Sequence, residues 1–202
     1  PALTGVFFKV DSDLITAVAT DGHRLAQFLC KNKTTASFTG EVIIPKKFLN
    51  TVGSYISGKK DVLLLINDSV FTAKIGKDTI YTRIIDEKFP DYESVIPKDN
   101  DKELQVDRKE LLAAVKRVSI FSNKTTQQVA MKTETSKLLI TTEDPEKASK
   151  AQEVLSVSYE SDSIEIGFNA SYLKDVLSHL TSDNITLKLN TPISASLFYP
   201  DN

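Results

Sequence analysis

Ala19-Thr20-Asp21-Gly22-His23-Arg24-Leu25-Ala26 separates two apolar runs, residues 14–19 and 24–29, and decides how they connect. Glycine reaches positive φ without steric cost, and an aspartate side chain bonds backbone amides just ahead of it, so Asp21-Gly22 predicts a tight turn. Two alternating runs joined by a tight turn predict an antiparallel hairpin.

Working outward, the chain repeats its own pattern at a shift of about 124 residues, too long for a solenoid repeat and the right size for a domain. Val6-Phe7-Phe8-Lys9 falls on Ala130-Met131-Lys132-Thr133, and Leu14-Ile15-Thr16 on Leu138-Leu139-Ile140. Phe48, Leu49, Val52 and Ile56 fall on Tyr172, Leu173, Val176 and Leu180; after a one-residue slip Val62-Leu63-Leu64-Leu65 falls on Ile185-Thr186-Leu187-Lys188. Each copy reads as a hairpin, a further strand, a helix and more strands. That is an α+β module with antiparallel sheets and helices on one face, not a doubly wound parallel sheet.

In the first copy the helix opens at Pro45, suited to a first helical position, and buries Phe48, Leu49, Val52 and Ile56. In the second, Asn169 or Ser171 supplies the cap. The second copy also has an earlier helix, capped by Asp107 with Glu110 three residues on and buried through Leu111, Leu112, Val115 and Val118. Its counterpart would precede Pro1, and the counterpart of the strand at residues 79–85 would follow Asn202, so the pattern predicts truncation at both ends. Pro97-Lys98-Asp99-Asn100-Asp101-Lys102 is charged and proline-marked, which places the boundary at about Asp101 and the modules at 1–101 and 102–202.

With 25 Lys plus Arg against 27 Asp plus Glu, the chain lacks the basic excess of a protein that grips DNA by neutralising phosphates. The one cysteine, Cys30, excludes an intramolecular disulfide and a multi-cysteine metal site, and its apolar neighbours predict a core position. No signal peptide and no apolar run near the roughly 18 residues of a membrane span is present, so the expectation is a cytoplasmic protein without a membrane role. His23 between Asp21 and Arg24 invites a catalytic reading. Hydrolysis would need a nucleophile and an oxyanion site or metal as well, and neither a phosphate loop nor a metal-spaced ligand set accompanies it. The turn explains these residues without catalysis, so neither enzyme activity, a cofactor nor a metal is expected.

The opening motif, Val42-Ile43-Ile44-Pro45-Lys46-Lys47, Phe89-Pro90-Asp91-Tyr92-Glu93-Ser94-Val95-Ile96-Pro97 and Ile166-Gly167-Phe168-Asn169-Ala170-Ser171-Tyr172 stand in one order across nearly the whole chain. In that order and spacing they resemble the central and C-terminal domains of the bacterial sliding clamps, the DNA polymerase III beta subunits. The resemblance implies a non-catalytic processivity factor that encircles duplex DNA as a homodimeric ring. Through a hydrophobic pocket between two domains, such a ring recruits polymerase III and other polymerases, the clamp loader and mismatch-repair proteins. Carried over by position, the pocket includes Leu3, Thr20, Gly22, His23, Arg24, Leu25, Pro90 and Val95 from the first copy, and Asn169, Tyr172, Ile193 and Ala195 from the second. Read singly, Leu25, Val95 and Ile193 would be core residues. Two departures stand out: Ala2 replaces a residue that is larger in many relatives, and the family's apolar C-terminal tail would lie past Asn202.

The same resemblance turns Lys46, Lys47, Lys109, Lys116, Arg117 and Lys174 toward DNA across a central hole, where topology makes strong phosphate neutralisation unnecessary. It makes Ile120 and Phe121 part of the ring interface, near which Lys147 and Lys150 interrupt the acid-rich pattern expected at residues 143–153. A two-domain peptide-binding adaptor without a DNA role is the alternative reading.

Overall fold

The computed structural model describes residues 1–31, 38–56, 58 and 61–201. The chain divides into two compact units, Pro1–Tyr92 and Glu93–Asn202. The first contains β1 (Gly5–Val10), β2 (Leu14–Thr20), β3 (Leu25–Lys31), β4 (Gly40–Pro45), α1 (Lys46–Tyr55), β5 (Val62–Ile66), β6 (Val70–Ile75) and β7 (Asp78–Arg83). The second contains β8 (Lys102–Asp107), α2 (Arg108–Val118), β9 (Gln128–Glu134), β10 (Lys137–Asp144), β11 (Ser149–Ser156), β12 (Glu165–Asn169), α3 (Ala170–His179), β13 (Asn184–Leu189) and β14 (Leu197–Pro200). The expected boundary at Asp101 immediately precedes β8. Residues 93–100 group with the second unit, where Asn100 is hydrogen-bonded to the carbonyls of Lys188 and Ala195.

Each unit holds two antiparallel sheets. Their orders are β3-β2-β1-β4 and β5-β6-β7 in the first, and β11-β10-β9-β12 and β14-β13-β8 in the second. The internal repeat is real and the α+β reading holds, but the first strand is offset. Phe8 pairs with Val42 as Met131 pairs with Ile166, so Phe8, not Phe7, corresponds to Met131. Side chains alternate across a sheet, so this one-residue difference decides which face is core. Phe8 accordingly packs against the cluster of Val42, Ile44, Phe48, Val52, Phe71, Ala73 and Ile75.

Phe7 lies on the opposite face, where Phe89 stacks on it at 4.9 Å between ring centroids and Tyr92 lies at 5.9 Å. The Phe89-Pro90-Asp91-Tyr92 segment is therefore a cover for the second face of the first sheet. Gly5 is required by close approach: a Cβ there would come within 2.8 Å of the Ile44 carbonyl oxygen.

Helix ends follow the side chains. Asp107 Oδ1 accepts from the Glu110 amide at 2.8 Å, as the cap reading requires, and Asn169 rather than Ser171 caps α3, accepting from the Ser171 and Tyr172 amides at 2.9 and 3.3 Å. Pro45 remains the last residue of β4 and precedes α1 instead of opening it. The helix ends at Tyr55, leaving Ile56 extended and exposed, so Phe48 and Val52 carry the burial with Leu49 at the margin. On α2 the buried stripe is Leu111, Ala114, Val115 and Val118, with Leu112 at its edge.

Cys30 corrects the expectation of a core cysteine: it is exposed. The reason is visible by comparing units. Cys30 pairs with Ile15 as Leu155 pairs with Leu138, and in the second unit α2 lies against β10 and β11 and Leu155 packs on the core. Among the described residues of the first unit no helix plays the part of α2. Phe28, two residues along that face from Cys30, is 66% exposed.

Candidate functional site

The turn between β2 and β3 is built by its own side chains. Thr20 Oγ1 donates to the Arg24 carbonyl at 2.8 Å and accepts from the Gly22 amide at 3.1 Å. Asp21 Oδ1 accepts from the His23 and Arg24 amides, each at 3.0 Å, while Oδ2 accepts from Arg24 Nε at 3.1 Å. Gly22 has φ of +86°, as the sequence required. Burial alone would raise the Asp21 carboxyl, but the two amides and the Arg24 guanidinium outweigh it and hold its pKa below the ordinary value. Both oxygens of Asp21 are thus spent on the turn. Among the described residues, no group of three or more His, Cys, Asp or Glu side chains is placed to hold a metal ion.

In the first unit the turn sets out Thr20, Gly22, His23, Arg24 and Leu25 at one end of the β2–β3 hairpin, with Leu25 half-buried. Leu3 is 45% exposed in a single 3-10 turn, Ala2–Thr4, just before β1, and Pro90 is exposed beside buried Phe89. In the second unit Val95 is 64% exposed and Ile193 is 97% exposed, so the core reading of these two is wrong. Tyr172 is half-buried and Ala195 is exposed. Asn169 is occupied by structure: its Oδ1 caps α3 and its Nδ2 donates to the Thr126 carbonyl at 3.3 Å.

The six cations divide by partner. Arg117 donates to both oxygens of Glu153 at 2.7 Å each, and this fork holds the Glu153 carboxyl below its usual range. Lys109 pairs with Asp183 at 3.0 Å, lowering the Asp183 carboxyl in the same way. Lys46, Lys47 and Lys116 are exposed, and Lys174 reaches Ser119 Oγ at 3.4 Å; none of the four has a carboxylate within ion-pair distance among the described residues. Lys46 and Lys47 occupy the first turn of α1, where the helix dipole disfavours cations and no acidic residue offsets them.

Ile120 is 75% exposed and Phe121 46% exposed on a short 3-10 turn after α2. That turn is held from behind. Ser149 Oγ donates to the Phe121 carbonyl at 3.1 Å, and Asn123 Nδ2 reaches buried Asp144 at 3.5 Å, which pairs with Lys147 at 3.2 Å. Beside it, Ser119, Ile120, Ser122, Lys124, Gln127 and Lys174 line an open cleft of about 340 Å³. Lys124 and Gln127 were invisible from the motifs. Gln127 adopts φ of +47°, and a non-glycine residue in that region is no sequence signal.

The fold and these placements define a tandem-module protein, two copies of one α+β unit bearing loops with exposed apolar side chains. The family model for the DNA polymerase III beta subunit central domain matches residues 1–91, and that for its C-terminal domain matches residues 93–202. The beta sliding clamp of Pseudomonas putida is 34% identical over 196 residues, 96% of this chain and 53% of the relative; that of Vibrio cholerae is 34% identical over 197 residues with the same coverage. A crystal structure of a Pseudomonas aeruginosa DnaN sliding clamp bound to griselimycin matches with a TM-score of 0.95 at 30% identity, over 100% of this chain and 55% of that one. The chain belongs to the DNA polymerase III beta subunit family, the sliding clamps, and spans about half the length of the curated relatives it matches. No helix among the described residues is long and apolar enough to cross a membrane.

Proposed function

We propose that this chain serves as part of a non-catalytic DNA polymerase processivity clamp, acting in the cytoplasm. It encircles duplex DNA as a homodimeric ring and recruits polymerases, the clamp loader and mismatch-repair proteins through short apolar peptides. The observation that carries the reading is the exposure of Ile193 and Val95, apolar side chains that belong to no core, at positions the family resemblance assigns to peptide recognition. Leu3, Leu25, Pro90 and Tyr172 serve the same class of ligand, with His23 and Arg24 at the rim of the rigid turn. A small apolar contact with an ordered peptide gives binding near micromolar, roughly 8 kcal/mol.

Lys46 and Lys47 support a DNA-facing role, because their position at the start of α1 costs helix stability and no acid compensates it. Lys116 and Lys174 join them, whereas Lys109 and Arg117 act first as partners of Asp183 and Glu153. Ile120 and Phe121 form a braced apolar ridge suited to closing a ring against a neighbouring subunit. The test is a fluorescence-anisotropy titration of a Gln-Leu-x-Leu-Phe peptide against the full chain: saturable binding abolished by Leu25→Asp and by Val95→Asp supports the reading, and unchanged affinity in both variants refutes it. An adaptor without a DNA role would bind the peptide equally well but would form no ring.

A further inference from the structure

Asn100 lies two residues before β8, and its side-chain nitrogen donates to two carbonyls far away in sequence, Lys188 O and Ala195 O, both at 2.9 Å. These carbonyls flank the base of one loop, which leaves β13 at Leu189 and enters β14 at Leu197. The loop carries its own brace. The Thr191 amide donates to Ser194 Oγ at 2.9 Å, the Ser194 amide donates to Thr191 Oγ1 at 3.1 Å, and Ser194 Oγ donates to the Thr191 carbonyl at 3.1 Å. Between those two residues stands Ile193, 97% exposed.

The orientation of the Asn100 amide is forced, since turning it over would set Oδ1 against two carbonyl oxygens. In the orientation present, Oδ1 is buried and has no hydrogen-bond partner among the described residues. An unpartnered buried acceptor is a cost to the folded state. The two donations tie Lys188 of β13 to Ala195 at the far side of the loop. Asparagine is the right group for this: one planar NH₂ has two hydrogens at fixed angles, and neither a hydroxyl nor a carboxylate can donate to both carbonyls at once.

We propose that Asn100 is a positioning residue for peptide recognition: it closes the base of the 190–196 loop so that Ile193 is presented in one place before a peptide arrives. The proposal rests on the reading of Ile193 as a peptide contact. A loop not closed in advance must be ordered at the moment of binding, and that entropy is subtracted from affinity.

The experiment is a double-mutant cycle in the full chain, reading the Kd of a Gln-Leu-x-Leu-Phe peptide by anisotropy for the wild type, Asn100→Ala, Ile193→Ala and the pair. Thermal unfolding of each variant and the isosteric Asn100→Asp accompany it. Asn100→Ala is expected to raise Kd about five-fold, and Asn100→Asp at least as much because a carboxylate would face two carbonyls. In the Ile193→Ala background the same change is expected to add less than about two-fold, since residues acting through one another are not additive. Faster hydrogen exchange at the Thr191 and Ser194 amides, with β13 still protected, is the expected signature in either Asn100 variant and separates loop opening from unfolding.

An unchanged Kd in Asn100→Ala, with Ile193→Ala weakened, overturns the positioning role and leaves the peptide reading standing. A full Asn100 effect without Ile193 also overturns it, because the residue would then act elsewhere. If Ile193→Ala itself leaves Kd unchanged, the peptide reading of Ile193 fails and the proposal falls with it.

Discussion

Asp21 and Arg24 bind each other twice: Oδ1 of the carboxylate accepts from the Arg24 amide at 3.0 Å and Oδ2 from its Nε at 3.1 Å. One charged side chain therefore fixes both the backbone of the turn and the direction of the arginine beside it. The consequence is a pH dependence of known sign. The Asp21 carboxyl is depressed in the folded chain, so its contribution is present above its unfolded value, about 3.9, and is lost as pH falls through the lower folded value. An NMR titration following the His23 and Arg24 amides should report a midpoint below about 3.9, absent in Asp21→Asn. Because both side chains are partly exposed, the effect on global stability is small.

Two caps carry equivalent work in the second unit. Asp107→Ala and Asn169→Ala should each lower the unfolding free energy in urea by about 1 kcal/mol, and Asn169→Ser should recover most of the loss. Restored stability with unrestored peptide affinity in Asn169→Ser would separate a contact role for that amide from its cap.

The cations differ in what they have left for DNA. In non-specific binding of the full chain to duplex DNA, Lys46→Gln with Lys47→Gln should reduce the slope of log K against log salt by about 2. Arg117→Gln should change it by less than about 0.5, since Glu153 already neutralises that charge. Equal effects would mean that the Arg117–Glu153 pair opens on DNA.

Cys30 is exposed at the β3 edge of the first sheet, on the face whose β4 end packs against α1. Ellman's reagent should titrate this thiol in the native chain at close to its rate in denaturant. A thiol silent until unfolding would contradict the exposed placement.

Much of this was legible in local chemistry. Asp21-Gly22 specified its turn and Asp107 with Glu110 specified a helix start, because each needs only residues a few positions apart. The internal repeat gave the order of elements, but it sets Phe7 on Met131 where the pairing sets Phe8, and the two phenylalanines lie on opposite faces of the sheet. That choice is made by pairing with β4, a long-range fact. Cys30 departs from its expected core position for a related reason: an apolar strand sequence shows what could be covered, not whether a helix covers it. Asn100 falls in a charged, proline-marked segment, and nothing near it in sequence points to its partners at Lys188 and Ala195. Arg117 is exposed on α2, and its acceptor on β11, Glu153, is set by the fold.

The most direct measurement is a methyl NMR titration of the isotopically labelled full chain with the Gln-Leu-x-Leu-Phe peptide. The account predicts saturable shifts concentrated at the methyl groups of Leu3, Leu25, Val95 and Ile193, with those of Val42, Leu111 and Leu177 in the cores unmoved. Saturable binding that perturbs other surfaces and leaves Ile193 and Leu25 unshifted would contradict it.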